Sequence, residues 1–165
     1  MFTKNNRIVI CGLGLAMVFI LTAYIAVPIG QFGYVNVGDC AIFLFSTILP
    51  PSLSFLVGGI GSALADLHLG YTHYAIFTLF VKGIEAIIVS TCIHRFPTKV
   101  KLLSFILGAV FMVMGYYFSD AILYGDYVVA FSGVGFNSMQ GMVSFTIASL
   151  LFPMFKKITY RVKQY

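Results

Sequence analysis

The chain has 165 residues, of which 60% are hydrophobic and 9% charged, and its formal net charge is +5 at pH 7. Soluble domains carry about a quarter of their residues as charges. This composition therefore excludes an ordinary soluble domain and predicts a single integral membrane domain over residues 1–165.

Six apolar segments follow one another along the chain, and each is a predicted transmembrane helix. A bilayer core about 30 Å thick needs about 20 helical residues. The first segment is long enough to span, so we interpret it as a helix and not as a cleaved leader. The second and third are short and are separated by Pro50-Pro51, since proline cannot continue a helix. The segments are Arg7–Val27, Gly38–Leu49, Ser52–Leu67, Thr72–Ile93, Leu102–Leu123 and Gly135–Phe155. The predicted fold is an all-α bundle of six transmembrane helices.

The basic residues indicate the orientation of this bundle. Lysine and arginine concentrate in the cytoplasmic loops of membrane proteins. Nine of the ten lie before the first segment, between the fourth and fifth, or after the sixth, and the tenth is Lys82. A six-span chain places those three regions on one side, so both termini are predicted to be cytoplasmic. The nine are Lys4, Arg7, Arg95, Lys99, Lys101, Lys156, Lys157, Arg161 and Lys163.

Two predicted outer loops, residues 28–37 and 123–134, are rich in glycine and aromatic residues and poor in charge. Loops usually lie in water and are polar. We therefore expect these two loops to fold over a cavity as lids. The alternative is a belt of aromatic residues at the membrane interface.

The fourth segment carries two charges inside an apolar run, Lys82 and Glu85, one helical turn apart. Charge near the middle of a bilayer costs about 2.5–3.5 kcal/mol on insertion scales, so such residues usually serve binding or transport. Tyr74 and Thr78 precede them at spacings that place all four on one helix face. The alternative is a mutually neutralised pair that only specifies helix packing.

Polar side chains also recur on the fifth and sixth segments, near their outer ends. Tyr116 and Asp120 share a face of the fifth, and Asn137 and Gln140 share a face of the sixth. Because polar groups in hydrocarbon need partners, we expect these faces to meet and form a pocket open to the outside. The alternative is that the amides join helices by hydrogen bonds and that the acids and tyrosines lie at the interface.

Catalytic and metal-binding motifs are absent from the sequence. There is no phosphate-binding loop, no HExxH and no GxSxG, and the cysteines and histidines lack metal-site spacing. We therefore predict a protein that is not an enzyme, has no catalytic residues and uses no metal or cofactor.

Several runs resemble the substrate-binding S component of energy-coupling factor (ECF) vitamin transporters, in the branch of riboflavin, hydroxymethylpyrimidine and pyridoxine types. The similarity covers most of the chain. It rests on Asn36-Val-Gly-Asp39, Gly58-Gly-Ile-Gly-Ser-Ala-Leu-Ala-Asp66, Gly70-Tyr71 and Phe77-Thr-Leu-Phe-Val-Lys-Gly83.

The resemblance implies a multi-pass protein of the bacterial plasma membrane that captures a vitamin from outside. It implies toppling on a transmembrane T subunit, with two separate ATPase subunits driving release. Small residues of the first helix dock on the T subunit in this family, and here they are Gly12 and Ala16. The family pocket is built from the first outer loop and helices four to six.

These inferences together predict nine substrate-binding residues and a small planar heterocycle as ligand. Hydroxymethylpyrimidine or pyridoxine suits the predicted pocket better than riboflavin. The predicted residues are Asn36, Tyr74, Thr78, Lys82, Glu85, Tyr116, Asp120, Asn137 and Gln140. Asp39 and Asp66 are interpreted instead as a favourable charge at a helix start and as an interfacial acid.

Two other classes of protein stay open at this point. One is a stand-alone secondary transporter that uses Glu85 or Asp120 as a proton carrier. The other is a membrane scaffold without a small ligand, in which the polar faces only pack helices.

Overall fold

The computed structural model describes residues 4–30, 33–96 and 101–162. Within these residues the backbone forms six helices and one antiparallel hairpin. They are α1 (Lys4–Tyr24), β1 (Ala26–Pro28), β2 (Tyr34–Asn36), α2 (Gly38–Ser46), α3 (Pro51–Leu69), α4 (Ala75–Arg95), α5 (Lys101–Tyr124) and α6 (Tyr127–Val162). The basic residues Lys99 and Lys163, predicted to be cytoplasmic, lie outside the described residues.

Five of these helices, all except α2, are long and apolar enough to cross a membrane. The nine residues of α2 rise only about 14 Å, less than half of the hydrocarbon thickness. This helix is largely buried and packs against α1, α4 and α6. The second predicted segment therefore forms an internal helix of the bundle. The six-span count and the cytoplasmic termini stay predictions.

The core of the bundle surrounds α2. Phe43 of α2 and Phe105 of α5 are fully buried and stack with ring centroids 5.2 Å apart and planes 8° apart. Val89 of α4 and Ala148 of α6 belong to the same cluster. Because α2 is surrounded by helices, a polar residue at its start is held in the interior.

A close approach of α3 to α4 fixes the part of α4 that carries the predicted charges. At a π-helical turn of α3, Leu56–Ile60, two glycines face α4. A Cβ on Gly58 would lie 2.6 Å from the carbonyl oxygen of Lys82, and one on Gly59 would lie 2.5 Å from that of Leu79. Only residues without a side chain allow this backbone contact.

The first predicted outer loop forms a hairpin over the bundle. Strand β1 pairs antiparallel with β2, with Val27 opposite Val35. The first helix therefore ends at Tyr24, three residues before its predicted end. Gln31 and Phe32 of this loop lie outside the described residues. Strand β2 brings Tyr34 and Asn36 against the helices.

The prediction of a second outer loop over residues 123–134 is wrong for most of its length. Helix α5 continues to Tyr124 and α6 begins at Tyr127. Asp126 caps the new helix by accepting a hydrogen bond of 2.7 Å from the backbone amide of Val128. A capping carboxylate stabilises a helix start. The turn between α5 and α6 therefore needs only two residues. Of the aromatic residues that suggested a lid, Tyr124 ends α5, and Tyr127 and Phe131 lie on the first turns of α6.

Candidate ligand-binding site

A buried ion pair joins α4 to the start of α2. Lys82 is 1% exposed, and its Nζ donates to Oδ1 of Asp39, which is fully buried. The Glu85 Oε2 atom lies 3.7 Å from the same Nζ. The predicted proximity of Lys82 and Glu85 is therefore present, but the closer partner is Asp39, which the sequence analysis assigned only to a helix start.

Two amides extend this pair to α6 and to the hairpin. Gln140 Nε2 donates to Asp39 Oδ2 at 2.8 Å. Gln140 Oε1 accepts from the backbone amide of Asn36 at 2.8 Å and from its side chain at 3.3 Å. Asn36 Oδ1 accepts in turn from the amide of Gly38 at 2.8 Å. This buried network thus joins β2, α2, α4 and α6 around one charge pair.

A cavity lies beside the network, between the hairpin and helices α1 and α3–α6. Its volume is about 30 Å³, which is space for about two water molecules. A ring-shaped ligand therefore needs the side chains of the wall to move. The lining residues are Thr22, Gly33, Tyr34, Asn36, Ser62, Asp66, Tyr74, Thr78, Lys82, Tyr116, Asn137 and Gln140.

Seven of the nine predicted substrate-binding residues line this cavity, namely Asn36, Tyr74, Thr78, Lys82, Tyr116, Asn137 and Gln140. The other two, Glu85 and Asp120, are buried outside its lining. Glu85 lies beyond Lys82, where its Cγ approaches Gly108 of α5. Asp120 accepts a hydrogen bond of 2.7 Å from the Tyr74 hydroxyl. Both acids therefore contact residues of the cavity wall.

Aromatic rings form part of the cavity wall. The Tyr116 hydroxyl lies 3.1 Å from Thr78 Oγ1, and the Tyr116 ring centroid lies 5.3 Å from Lys82 Nζ. A cation at this distance from a ring face is attracted by the ring quadrupole. Tyr116 therefore stabilises the ammonium beside it, and both residues line the cavity.

Sequence reasoning missed five lining residues: Thr22, Gly33, Tyr34, Ser62 and Asp66. Ser62 and Asp66 are four residues apart on α3, a spacing that puts them on one helix face. That signal was present in the glycine-rich run, but the run was used only as a motif of the family. Thr22 and Tyr34 carry no comparable periodicity.

Tyr34 of the hairpin contacts Asp66 directly. Its hydroxyl donates to Asp66 Oδ1 at 2.6 Å. Burial raises the pKa of the Tyr34 phenol far above its ordinary value, and the neighbouring Asp66 carboxylate raises it further. The phenol therefore stays protonated and acts as the donor, which ties the hairpin to α3 across the cavity.

The two predicted docking residues lie away from this cavity, on the outer face of α1. Gly12 and Ala16 are both exposed, one helical turn apart. A Cβ on Gly12 would meet no atom within 4 Å. The surrounding side chains of Leu13 and Met17 are also exposed. This face is open to a lipid or a partner helix, and its docking role stays a prediction.

The lining of the cavity combines charged and polar groups with aromatic rings. One ammonium, one carboxylate, three amides and several hydroxyls surround the space, together with the rings of three tyrosines. Ligand pockets typically combine apolar surface with a few polar groups that fix orientation. Tyrosines supply flat faces for a ring, and the polar groups supply hydrogen bonds to its edge.

Comparisons with known proteins match this chain to a transporter family. The family model of the ECF-type riboflavin transporter S component matches residues 2–157. The thiamine precursor transporter HmpT of Lactococcus lactis subsp. cremoris (strain MG1363) is 26% identical over 160 residues, 95% of this chain and 92% of HmpT. An uncharacterized protein of the gap 3′ region of Pyrococcus woesei is 38% identical over 121 residues, 67% of this chain and 80% of that protein.

Proposed function

Because this chain belongs to the family of ECF-type riboflavin transporter S components, we propose that it is the substrate-binding subunit of an ATP-driven vitamin importer. The observation that carries the proposal is the cavity bounded by the buried Lys82–Asp39–Gln140–Asn36 network. Buried charges in a membrane protein are costly and usually functional. Here they are arranged around a space between helices.

The proposed ligand is hydroxymethylpyrimidine, with pyridoxine as the related alternative. The relationship to HmpT, a thiamine precursor transporter, extends over 95% of this chain. The small volume of the cavity, about 30 Å³, also favours a single ring, because a smaller ligand requires less displacement of the wall. The ring of hydroxymethylpyrimidine stacks on the tyrosines of the cavity, and the polar edge of the ring meets Lys82, Asn137 and Gln140.

Riboflavin is the second candidate, because the family model that matches the chain is that of riboflavin transporters. Its three fused rings require a much larger opening of the wall. Competition between riboflavin and hydroxymethylpyrimidine for the purified chain distinguishes the two ligands. Displacement of bound hydroxymethylpyrimidine only at a large excess of riboflavin is the expected result.

In the proposed mechanism this chain binds the vitamin on the outer side of the plasma membrane and is not an enzyme. It then topples on a transmembrane T subunit, with Gly12 and Ala16 of α1 at the contact. ATP hydrolysis in two further subunits drives release of the vitamin on the inner side. The support for this division of labour is family membership and the open small-residue face of α1.

Asn137→Ala is the direct test of the pocket. Asn137 lines the cavity but takes no part in the ion-pair network, so its truncation leaves the buried charges paired. We expect about a tenfold loss of affinity for hydroxymethylpyrimidine, since a net hydrogen bond contributes about 0.5–1.5 kcal/mol. Titration calorimetry in detergent measures this affinity.

The matched control is Ser138→Ala, the next residue of α6, which faces a separate groove between α5 and α6. Its affinity should equal that of the unmodified chain. Equal affinities of the unmodified chain, Asn137→Ala and Ser138→Ala would show that Asn137 does not contact the ligand. Absence of binding of any vitamin heterocycle to the unmodified chain would overturn the proposed function.

A further inference from the structure

One wall of the cavity, formed by α1 and α3, carries three buried polar groups that are unpaired within the described part of the chain. Thr22 is 2% exposed, Ser62 1% and Asp66 3%. The atoms Thr22 Oγ1, Ser62 Oγ and Asp66 Oδ2 have no hydrogen-bond partner there. All three residues line the cavity. We refer to Thr22, Ser62 and Asp66 as the α1–α3 wall.

The remaining polar side chains of the lining differ, because most of them bond to one another. Lys82 pairs with Asp39, and Gln140 bonds to Asp39 and Asn36. Thr78 bonds to Tyr116 and also lies beside the Asp66 carboxylate. A ligand that hydrogen-bonds to these groups must break bonds that already exist, whereas one that reaches the α1–α3 wall gains new bonds. An unpaired buried polar group is costly, so a ligand that satisfies these groups binds with a net gain.

The position of Asp66 defines what this wall recognises. Its Oδ1 is occupied by the Tyr34 hydroxyl at 2.6 Å, so Oδ2 is the oxygen left to accept a bond. An ionised carboxylate is an acceptor only. Ser62, one helical turn before it on the same helix, adds a hydroxyl that can accept or donate. A ligand edge with N–H donors fits this pair, and an edge with only acceptors leaves Asp66 unpaired.

We infer that the α1–α3 wall, with Asp66 as its central acceptor, determines specificity and selects a heterocycle that carries an exocyclic amine. The inference rests on the proposed function and refines its ligand class. It also adds helices α1 and α3 to a pocket that the family resemblance places on the first outer loop and helices four to six. Among the candidate ligands, hydroxymethylpyrimidine carries such an amine and pyridoxine does not.

The test combines two ligands with two variants of the full chain in detergent. The probes are hydroxymethylpyrimidine and its analogue in which hydrogen replaces the exocyclic amine, each measured by titration calorimetry. The unmodified chain should bind the amine-bearing probe about tenfold to a hundredfold more tightly, since hydrogen bonds to charged groups are stronger than neutral ones. Asp66→Asn should remove most of this preference, because an amide can present N–H donors to the amine.

Ser62→Ala supplies an independent measurement that keeps Asp66 and its bond to Tyr34. It should weaken binding of the amine-bearing probe severalfold. The matched control is Ser46→Ala, because Ser46 is equally buried at 1% exposure, has an unpaired hydroxyl within the described residues and lies outside the cavity lining. Its affinity should be unchanged.

Each result decides between distinct conclusions. Equal affinity of the unmodified chain for both probes, or an unchanged preference in Asp66→Asn, would overturn the inference and leave the proposed function intact. Should Asp66→Asn fail to fold, the probe preference of the unmodified chain and the Ser62→Ala measurement still decide the matter. Failure of the unmodified chain to bind either probe or any vitamin heterocycle would overturn the inference together with the proposed function.

Discussion

Lys82 determines the charge balance of the site at the scale of single residues. Two carboxylates, Asp39 and Glu85, lie next to its one ammonium group. Removing one member of a buried ion pair costs about 3–5 kcal/mol, because it leaves the partner charge uncompensated. Truncation of Lys82 therefore affects folding as well as binding, and it cannot by itself assign a ligand contact.

Glu85→Gln separates the proposed importer from a proton-coupled transporter. Glu85 is fully buried, and neither of its oxygens is hydrogen-bonded within the described residues. The amide preserves its shape, and Asp39 remains to balance Lys82. We expect affinity for hydroxymethylpyrimidine to stay within about threefold of the unmodified chain, and uptake to persist when the proton gradient is collapsed and ATP is maintained.

Asp120→Asn is the companion variant, since Asp120 is the second candidate proton carrier and an amide oxygen can still accept the bond from Tyr74. Uptake by both variants should follow that of the unmodified chain. Loss of uptake in Glu85→Gln or Asp120→Asn with binding retained, together with a requirement for the proton gradient, would favour the secondary transporter.

Helical periodicity was sufficient to predict contacts within one helix. The three-residue spacing of Lys82 and Glu85 put their charges close together, and the structure has them 3.7 Å apart. Asp39 is 43 residues from Lys82, so only the packing of α2 against α4 brings it there. No local pattern encodes that contact, and the carboxylate was consequently interpreted as a helix-start charge.

At the scale of elements, the contact between α3 and α4 depends on glycine. We expect Gly58→Ala to destabilise the fold by about 1–3 kcal/mol, because its new methyl group would meet the Lys82 carbonyl oxygen 2.6 Å away. Displacement of α4 should also weaken ligand binding. Thermal unfolding in detergent measures the first effect and calorimetry the second.

Gly12→Ala is the matched control on α1, where a Cβ would meet no atom within 4 Å. Alanine is favoured over glycine inside a helix by about 0.5–1 kcal/mol, so this variant should unfold at an equal or higher temperature. Both variants replace glycine by alanine inside a helix. Opposite changes in their unfolding temperatures would therefore separate the effect of the α3–α4 contact from that of helix propensity. Equal stability of both variants would contradict the close approach.

Helix positions could be predicted from apolar run lengths, but two elements could not. The segment 123–134 carries glycines and aromatic residues that are typical of a loop, yet the cap formed by Asp126 lets α6 begin at Tyr127. The segment Gly38–Leu49 is as apolar as a span, yet its helix ends at Ser46 and is covered by neighbouring helices. Hydropathy does not distinguish lipid from protein as the surroundings of an apolar helix.

At the scale of the whole molecule, composition and family agree on a multi-pass membrane protein. Five helices have the length and hydropathy of membrane spans, and the family model covers residues 2–157. The polar groups of the cavity are buried inside this bundle, while the outer face of α1 is apolar and carries small residues. The polar interior site and the outer face of α1 are thus separate, and the two can be altered separately.

Ala16→Trp tests the proposed docking surface without touching the cavity. Ala16 is exposed on α1, one turn from Gly12, so the fold accommodates a larger side chain outside the bundle. Small residues allow helices to approach closely in membranes, and an indole at this position would hold a partner helix away. We expect unchanged affinity for hydroxymethylpyrimidine but loss of uptake in cells that express the chain with the T subunit and the ATPases.

Val143→Trp, at an exposed position of α6, adds the same bulk to another outer face and should transport normally. Normal uptake by Ala16→Trp would assign docking to a different surface, whereas equal loss in both variants would show that bulk on any outer face blocks the motion.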